Sequence, residues 1–225
     1  MSYVTGDTHG SINIGKLSTK NFPDQKHMSK SDYLIICGDF GGVWDGSKEE
    51  QYWRKWLKQK PFTTLFVDGN HENFPALNSY DVQEWNGGKV HKIEDSIFHL
   101  MRGQVYQIDG YKFFSMGGAS SHDKEYRIEG WSWWAEELPS TEEYLEALAN
   151  LDKNNWNVDF VISHCAPDSV QTQIKNWYEK DKLTNFMESI KNDLSFSHWF
   201  FGHYHTDWKI DDKYTAMFNC VKRVV

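Results

Sequence analysis

The stretch "FFGHYH" sets His203 and His205 at alternate positions straight after an apolar run. Alternate residues of an extended segment point the same way, so both imidazoles could reach one metal ion. A turn with two neighbouring histidines is the plainer reading of that stretch alone. Four more apolar runs end in comparable residues. "YVTGDTHG" ends in Asp7 and His9, "DYLIICGDF" in Asp39, "TTLFVDGNHE" in Asn70 and His71, and "VDFVISHCAP" in His164. Taken singly, Asp7 and Asp39 could terminate strands, and His164 could be a satisfied core histidine. Jointly, the five ends supply two carboxylates, one amide and five imidazoles. Such donors suit hard-to-borderline divalent ions, and no cysteine falls among them, which argues against structural zinc or iron–sulfur chemistry. Eight groups exceed the needs of one ion, so two ions sharing a carboxylate is the simplest arrangement.

Elements that could position these groups are legible in the patterning. The continuous apolar runs at 33–37, 63–67 and 158–162 read as central strands buried on both faces. "HWFFGHYH" adds another, and "YVTGDTHG" a short first strand. Ser47 with Glu50 forms a capping-box pattern ahead of a stripe of Tyr52, Trp53, Trp56 and Leu57. Ser140 with Glu143 repeats it ahead of Tyr144, Leu145, Leu148 and Leu151, and "DKLTNFMESIKNDL" reads as a further helix. "VYQIDGYKFFSMGG" reads as a hairpin around Asp109-Gly110, a pair that favours a type I′ turn. Strands alternating with helices indicate an α/β architecture, whose functional crevice lies beyond the carboxyl ends of the strands.

In that order, "GDTHG", "GDFGG", "GNHE", "SH" and "GHYH" resemble the five signature blocks of the calcineurin-like metallophosphoesterases, from Asp7 to His205. The resemblance implies one domain over residues 1–225, a four-layer α/β/β/α sandwich. Two central mixed β-sheets would be flanked by helices, with the metal site at the strand C-terminal ends. It implies Asp7, His9, Asp39 and His205 as ligands of one divalent ion, and Asp39, Asn70, His164 and His203 as ligands of the other, with Asp39 bridging. His71 resembles the family's non-ligand histidine beside the phosphate, and with Asp39 it forms the expected catalytic pair. The implied activity is hydrolysis of phosphate mono- or diesters by a hydroxide held between two cations about 3.5–4 Å apart. His71 would donate a proton to the leaving alkoxide or steady the phosphoryl oxygens. Mn²⁺ is the expected ion, with Fe, Zn, Ni, Co or Mg as substitutes.

The sequence also departs from the family pattern. Many members carry an aspartate and an arginine just after the second block, where this chain has Gly42 and Val43. Asp45 is a candidate to replace the first. Arg102, Arg127 and His122, with Lys124, are the candidates for a phosphate-binding cation, and a polar surface loop with aromatic packing is the plainer reading of the segment that holds the last three. Trp131, Trp133 and Trp134 could be core or could wall a pocket for an aromatic substrate group.

Composition narrows the field. At 225 residues and a formal charge of −8, with no basic run, the chain is a poor match for a nucleic-acid or anionic-membrane binder. Nucleic acid remains only as a substrate, which leaves a metal-dependent nuclease as one alternative and a non-catalytic scaffold of the same fold as another. Cys37, Cys165 and Cys220 are scattered and odd in number, which suits a reducing interior. No signal peptide and no run near the roughly 20 apolar residues of a membrane span are present, so the expectation is a cytoplasmic protein. His27, His91, His99 and His198 match no block and read as surface or packing residues.

Overall fold

Leu34, Ile35, Ile36 and Cys37 are all fully buried, yet alternate side chains enter different cores. Leu34 and Ile36 join one apolar cluster, while Ile35 and Cys37 join another. That is the signature of a strand covered on both faces, and it follows from the period-two alternation of an extended chain.

The computed structural model describes residues 1–225. In order the chain forms β1 (Ser2–Thr5), β2 (Tyr33–Ile36), α1 (Lys48–Lys58), β3 (Thr63–Phe66), α2 (Phe74–Leu77), β4 (Val82–Trp85), β5 (Gly88–Glu94), β6 (Ile97–Leu100), β7 (Gln104–Ile108), β8 (Tyr111–Met116), α3 (Thr141–Lys153), β9 (Phe160–Ser163), α4 (Asp168–Ile174), α5 (Lys182–Asp193), β10 (His198–Phe201), β11 (Trp208–Lys209), β12 (Tyr214–Ala216) and β13 (Val221–Arg223). One sheet runs β13-β1-β2-β3-β6-β5-β4 and the other β11-β12-β10-β9-β8-β7. Both are mixed: β1, β2, β3 and β6 are parallel, as are β8, β9, β10 and β12, and the remaining strands pair antiparallel. No helix is long and apolar enough to cross a membrane.

Three cores define four layers. Val4, Ile35 and Leu65 of the first sheet meet Phe113, Ile162 and Phe200 of the second in the seam between them. Leu57 of α1 packs with Leu34, Ile36 and Phe66 on the outer face of the first sheet. Ala147 and Leu151 of α3, with Leu183, Met187 and Ile190 of α5, cover Val161, Trp199 and Phe201 on the outer face of the second. The expected four-layer sandwich is therefore present.

Local detail differs in places. The capping box at Ser140 and Glu143 is complete. At α1 only half forms: Ser47 accepts from the Glu50 N–H, but the Glu50 carboxylate turns back to the N–H groups of Trp44, Asp45 and Gly46. Tyr52 and Leu145, read as members of apolar stripes, are exposed, and in α3 Ala147 joins Leu151 as a buried residue. The hairpin turn has φ of 55° at Asp109 and 85° at Gly110, the positive pair a type I′ turn needs.

Arg102, expected near phosphate, has a different place. It is buried in the framework, its Nε 2.9 Å from Asp68 Oδ2, with a further bond from Nη2 to the Glu136 carbonyl. His99 Nε2 lies 3.1 Å from the other Asp68 oxygen, and His91 stacks on His99 behind it. Burial pushes the Asp68 carboxyl up, but Arg102 and His99 outweigh it and hold it below the usual carboxylate range. A buried carboxylate this close to the chain needs its cation, so Arg102 is committed to Asp68 and not to a substrate. Arg102→Ala should cost about 3–5 kcal/mol of stability in urea unfolding, the usual penalty for stranding one partner of a buried pair. A loss below about 1 kcal/mol would contradict this assignment.

Candidate metal centre

The five sequence blocks follow the C-terminal ends of β1, β2, β3, β9 and β10, so both sheets deliver residues to one crevice. The backbone there is unusual. His9, Asp39, His203 and His205 have φ of 44°, 48°, 67° and 47°, in the left-handed region that non-glycine residues seldom occupy. Aspartate and histidine tolerate it better than branched residues, which helps explain the residue types allowed. Gly38, at φ 95°, serves close approach as well, because any Cβ would collide with the His164 ring.

A lattice of bonds holds these conformations. The N–H groups of Thr8 and His9 both donate to the Asp39 carbonyl, at 3.1 and 2.8 Å, and that of Gly10 donates to Phe40 O. His71 N–H donates to Asp39 Oδ1 at 2.8 Å, and His203 N–H to the Asp7 carboxylate at 3.1 and 3.2 Å. Strain that would cost about 1–3 kcal/mol per residue persists because its surroundings over-determine it.

Within this lattice Asp7, His9, Asp39 and His205 bring their donor atoms within 4.8 Å of one another, a group able to hold a metal ion. His205 Nε2 is 3.2 Å from Asp7 Oδ2 and 3.1 Å from His9 Nε2. A second group meets the first at Asp39 Oδ2, which lies 3.8 Å from His9 Nε2 and 3.4 Å from His164 Nε2. Asn70 Oδ1 is 3.1 Å from both His164 Nε2 and His203 Nδ1. Oδ1 of Asp39 accepts from the His71 N–H, and Oδ2 is the oxygen set near both groups.

The donor set fits divalent cations on its own chemistry. His164 Nδ1 donates to the Cys37 carbonyl at 2.7 Å, so in a neutral ring Nε2 presents a lone pair. That lone pair faces the Asn70 carbonyl oxygen, whose orientation is fixed by Nδ2 donating to Ser121 Oγ at 3.0 Å. Positive charge is needed where His164 Nε2 meets the Asn70 and Asp39 oxygens, and either a proton on the ring or a metal ion in its place supplies it. Asp7 and Asp39 are buried, and their ion-pair partners are all imidazoles. Burial raises Asp39, but His164, His71 and His9 outweigh it and keep the carboxyl well below its usual value. Burial lowers His164, but Asp39 and Asp7 overcome it and push the ring up to about 10. Burial pushes His203 well down and His9 down, whereas the hydrogen bond to Asp7 raises His205.

His71 lies beside this cluster, its ring 5.3 Å from that of His9 in an edge-on arrangement. Arg127 Nη2 reaches it, 3.1 Å from Nε2, while Arg127 Nε is paired to Asp123 at 2.8 Å. Burial lowers His71, Asp39 opposes, and Arg127 adds to the lowering. His122 is exposed with its ring 5.5 Å from His203, and Lys124 is tied to Ser120 Oγ. Asp45 accepts from the Ser47 N–H and makes no bond to His71, so it does not take the pairing role weighed for it. Trp134 is buried edge-on against Trp44, Trp133 lies under the Lys124 ammonium, and Trp131 is exposed.

Some supports carried no sequence signal that singled them out. Lys16 is buried, and its ammonium donates to the carbonyls of Gly6, Asp7 and Phe218. Burial lowers its pKa to about 8, which leaves it charged at neutral pH. Glu72, the last residue of "GNHE", is fully buried and accepts from the Phe40 N–H at 2.7 Å, joining the loops after β2 and β3. Ser121 passes the Asn70 bond on to Glu137, also fully buried.

Comparison with curated proteins gave no significant match. The family model for calcineurin-like phosphoesterase matches residues 2–207, which takes in all five strand ends and the whole donor cluster. On that match and the two-sheet fold beneath it, the chain belongs to the calcineurin-like phosphoesterase family.

Proposed function

We propose that the protein is a dinuclear metal-dependent phosphoesterase that hydrolyses phosphate mono- or diesters. The observation that supports this most directly is the sharing of Asp39 Oδ2 by two donor groups, with His71 and Arg127 beside them and outside both. Two divalent cations bound there, manganese as the first choice, would supply Lewis-acid charge and lower the pKa of water toward neutrality.

The chain's own residues do the rest. Asp7, His9, Asp39 and His205 would hold one cation, and Asp39, Asn70, His164 and His203 the other. Asn70 contributes an oxygen without negative charge, which spares an anionic substrate added repulsion. Arg127 takes the place of the arginine missing at Val43 and presents its guanidinium to the phosphoryl oxygens. His122, on the other side near His203, adds a donor at the rim. Beside Arg127, His71 is held toward its neutral form and donates an N–H to the phosphoryl group. A phosphate dianion bound beside both would offset the guanidinium, which lets His71 carry the proton needed by a leaving alkoxide. Cys37, Cys165 and Cys220 are all free, which supports work in a reducing compartment such as the cytoplasm.

Elemental analysis of protein loaded with Mn²⁺ should find about two ions per chain, and a chelator should abolish ester hydrolysis until the ion is restored. Asp39→Asn should lower uptake at both positions, since an amide supplies no charge to either cation; full occupancy in that variant would remove Asp39 as the bridge.

Arg127→Ala should leave metal content intact and reduce kcat/KM by about 10- to 150-fold, the loss of one charge-assisted contact of about 1.5–3 kcal/mol. Unchanged kinetics on several esters would exclude it as the clamp.

His71→Asn should also keep its metals. Turnover should fall by roughly a hundredfold or more on alkyl phosphates and much less on nitrophenyl phosphate, whose leaving group needs no proton. An equal fall on both would leave phosphate binding as the only role of His71.

A further inference from the structure

A cavity of about 320 Å³ opens between His9 and His71 on one side and the β2–α1 loop on the other. Its far wall is aromatic. Trp44 is fixed along its backbone, its N–H bonded to Glu50 at 2.7 Å and its carbonyl to Asn73 at 2.6 Å. Its indole is braced edge-on by Trp134 at 5.4 Å. Trp53 is braced edge-on by Tyr52 at 5.1 Å and by Trp56 at 5.4 Å. Two indoles held this way present rigid apolar surface at little entropic cost.

The charge on the wall is one-sided. No lysine or arginine lines the cavity, whereas Asp45, Glu49 and Glu50 do. Glu50 is fully engaged by three N–H groups and by Arg54 at 3.3 Å. Glu49 makes no bond, and Asp45 makes one through a single oxygen, so both keep charge available to the cavity. A second anionic group placed against this wall would meet carboxylates and no lysine or arginine to balance it.

We propose that this cavity receives the leaving group of the ester, an aromatic group that carries no second negative charge, and that Trp44, Trp53, Asp45 and Glu49 set this preference. The proposal rests on the phosphoesterase reading and names its substrate class: phosphate esters of uncharged aromatic alcohols, with further phosphates or carboxylates on the leaving group selected against. A nucleoside and a tyrosyl side chain share this chemistry.

Non-hydrolysable phosphonates test it by calorimetry on the Mn²⁺-loaded protein, apart from any turnover. Benzylphosphonate should bind at least about tenfold tighter than ethylphosphonate, the gain from burying one ring against the indoles. Trp53→Ala should shrink that ratio to about twofold or less, and Trp53→Phe, which keeps a ring, should retain most of it. 4-Carboxybenzylphosphonate should bind more weakly than benzylphosphonate by about threefold or more, and Glu49→Gln should narrow that gap. Inhibition by adenosine 5′-monophosphate against N-acetyl-phosphotyrosine amide then tells a nucleoside from a phenol, and either order supports the proposal provided both exceed ethylphosphonate. Equal binding of benzyl- and ethylphosphonate would overturn the aromatic pocket and leave the phosphoesterase reading standing. No binding of any phosphonate, together with no hydrolysis of any ester, would bring down both.

Discussion

Asp7 and Asp39 are taken out of water at the ends of two neighbouring strands, with no lysine or arginine paired to either. Desolvating a carboxylate costs several kcal/mol even after relaxation, so positive charge must be brought to it. The crevice is organised around that demand. Imidazoles that follow β1, β9 and β10 face the two carboxylates, the backbone N–H groups of His71 and His203 add further bonds to them, and four of the residues involved sit in left-handed conformations. The large apolar seam between the sheets keeps these ends in place.

Two kinds of support meet at the crevice. The cation-holding groups stand on strand ends, whose positions are fixed by ladders and by three cores. Arg127, His122 and Trp134 instead come from the segment between β8 and α3, which has little regular structure of its own. That segment is fastened at a few polar points: Ser121 between Asn70 and Glu137, and Arg127 between Asp123 and His71. Rigid strand ends thus carry the donors, and a loop pinned at selected points carries the residues proposed to meet the substrate.

Much of this was legible in the sequence for physical reasons. A strand buried on both faces must be apolar throughout, so the runs at β2, β3, β9 and β10 announced themselves, and the chemistry at their ends stood out by contrast. Hairpin and cap signals depend on near neighbours, which is why Asp109-Gly110 and the Ser140–Glu143 box were readable. Pairings across the chain were not. Nothing local distinguishes Arg102, which lies against Asp68, from Arg127, which lies against His71; only the fold separates them. Lys16 reads as a surface lysine, yet it ties three carbonyls at the root of the site. The half-formed box at Ser47 arose because Glu50 had a stronger use, collecting three N–H groups of the preceding loop.

The span of the crevice along the chain bears on how it is made in the cell. His203 binds the Asp7 carboxylate across a sequence separation of 196 residues. On a ribosome, the first carboxylate emerges with His9 beside it but long before His164, His203 and His205, which complete its surroundings. β1 and β2 can pair early, but a nascent chain exposes Asp7 and Asp39 as an incomplete acidic pair. Loops that long close slowly, and the contacts that reward closure come last. On the proposed function, metal loading would therefore await the finished chain, because a protein truncated before β10 lacks His203 and His205 and has neither donor group intact.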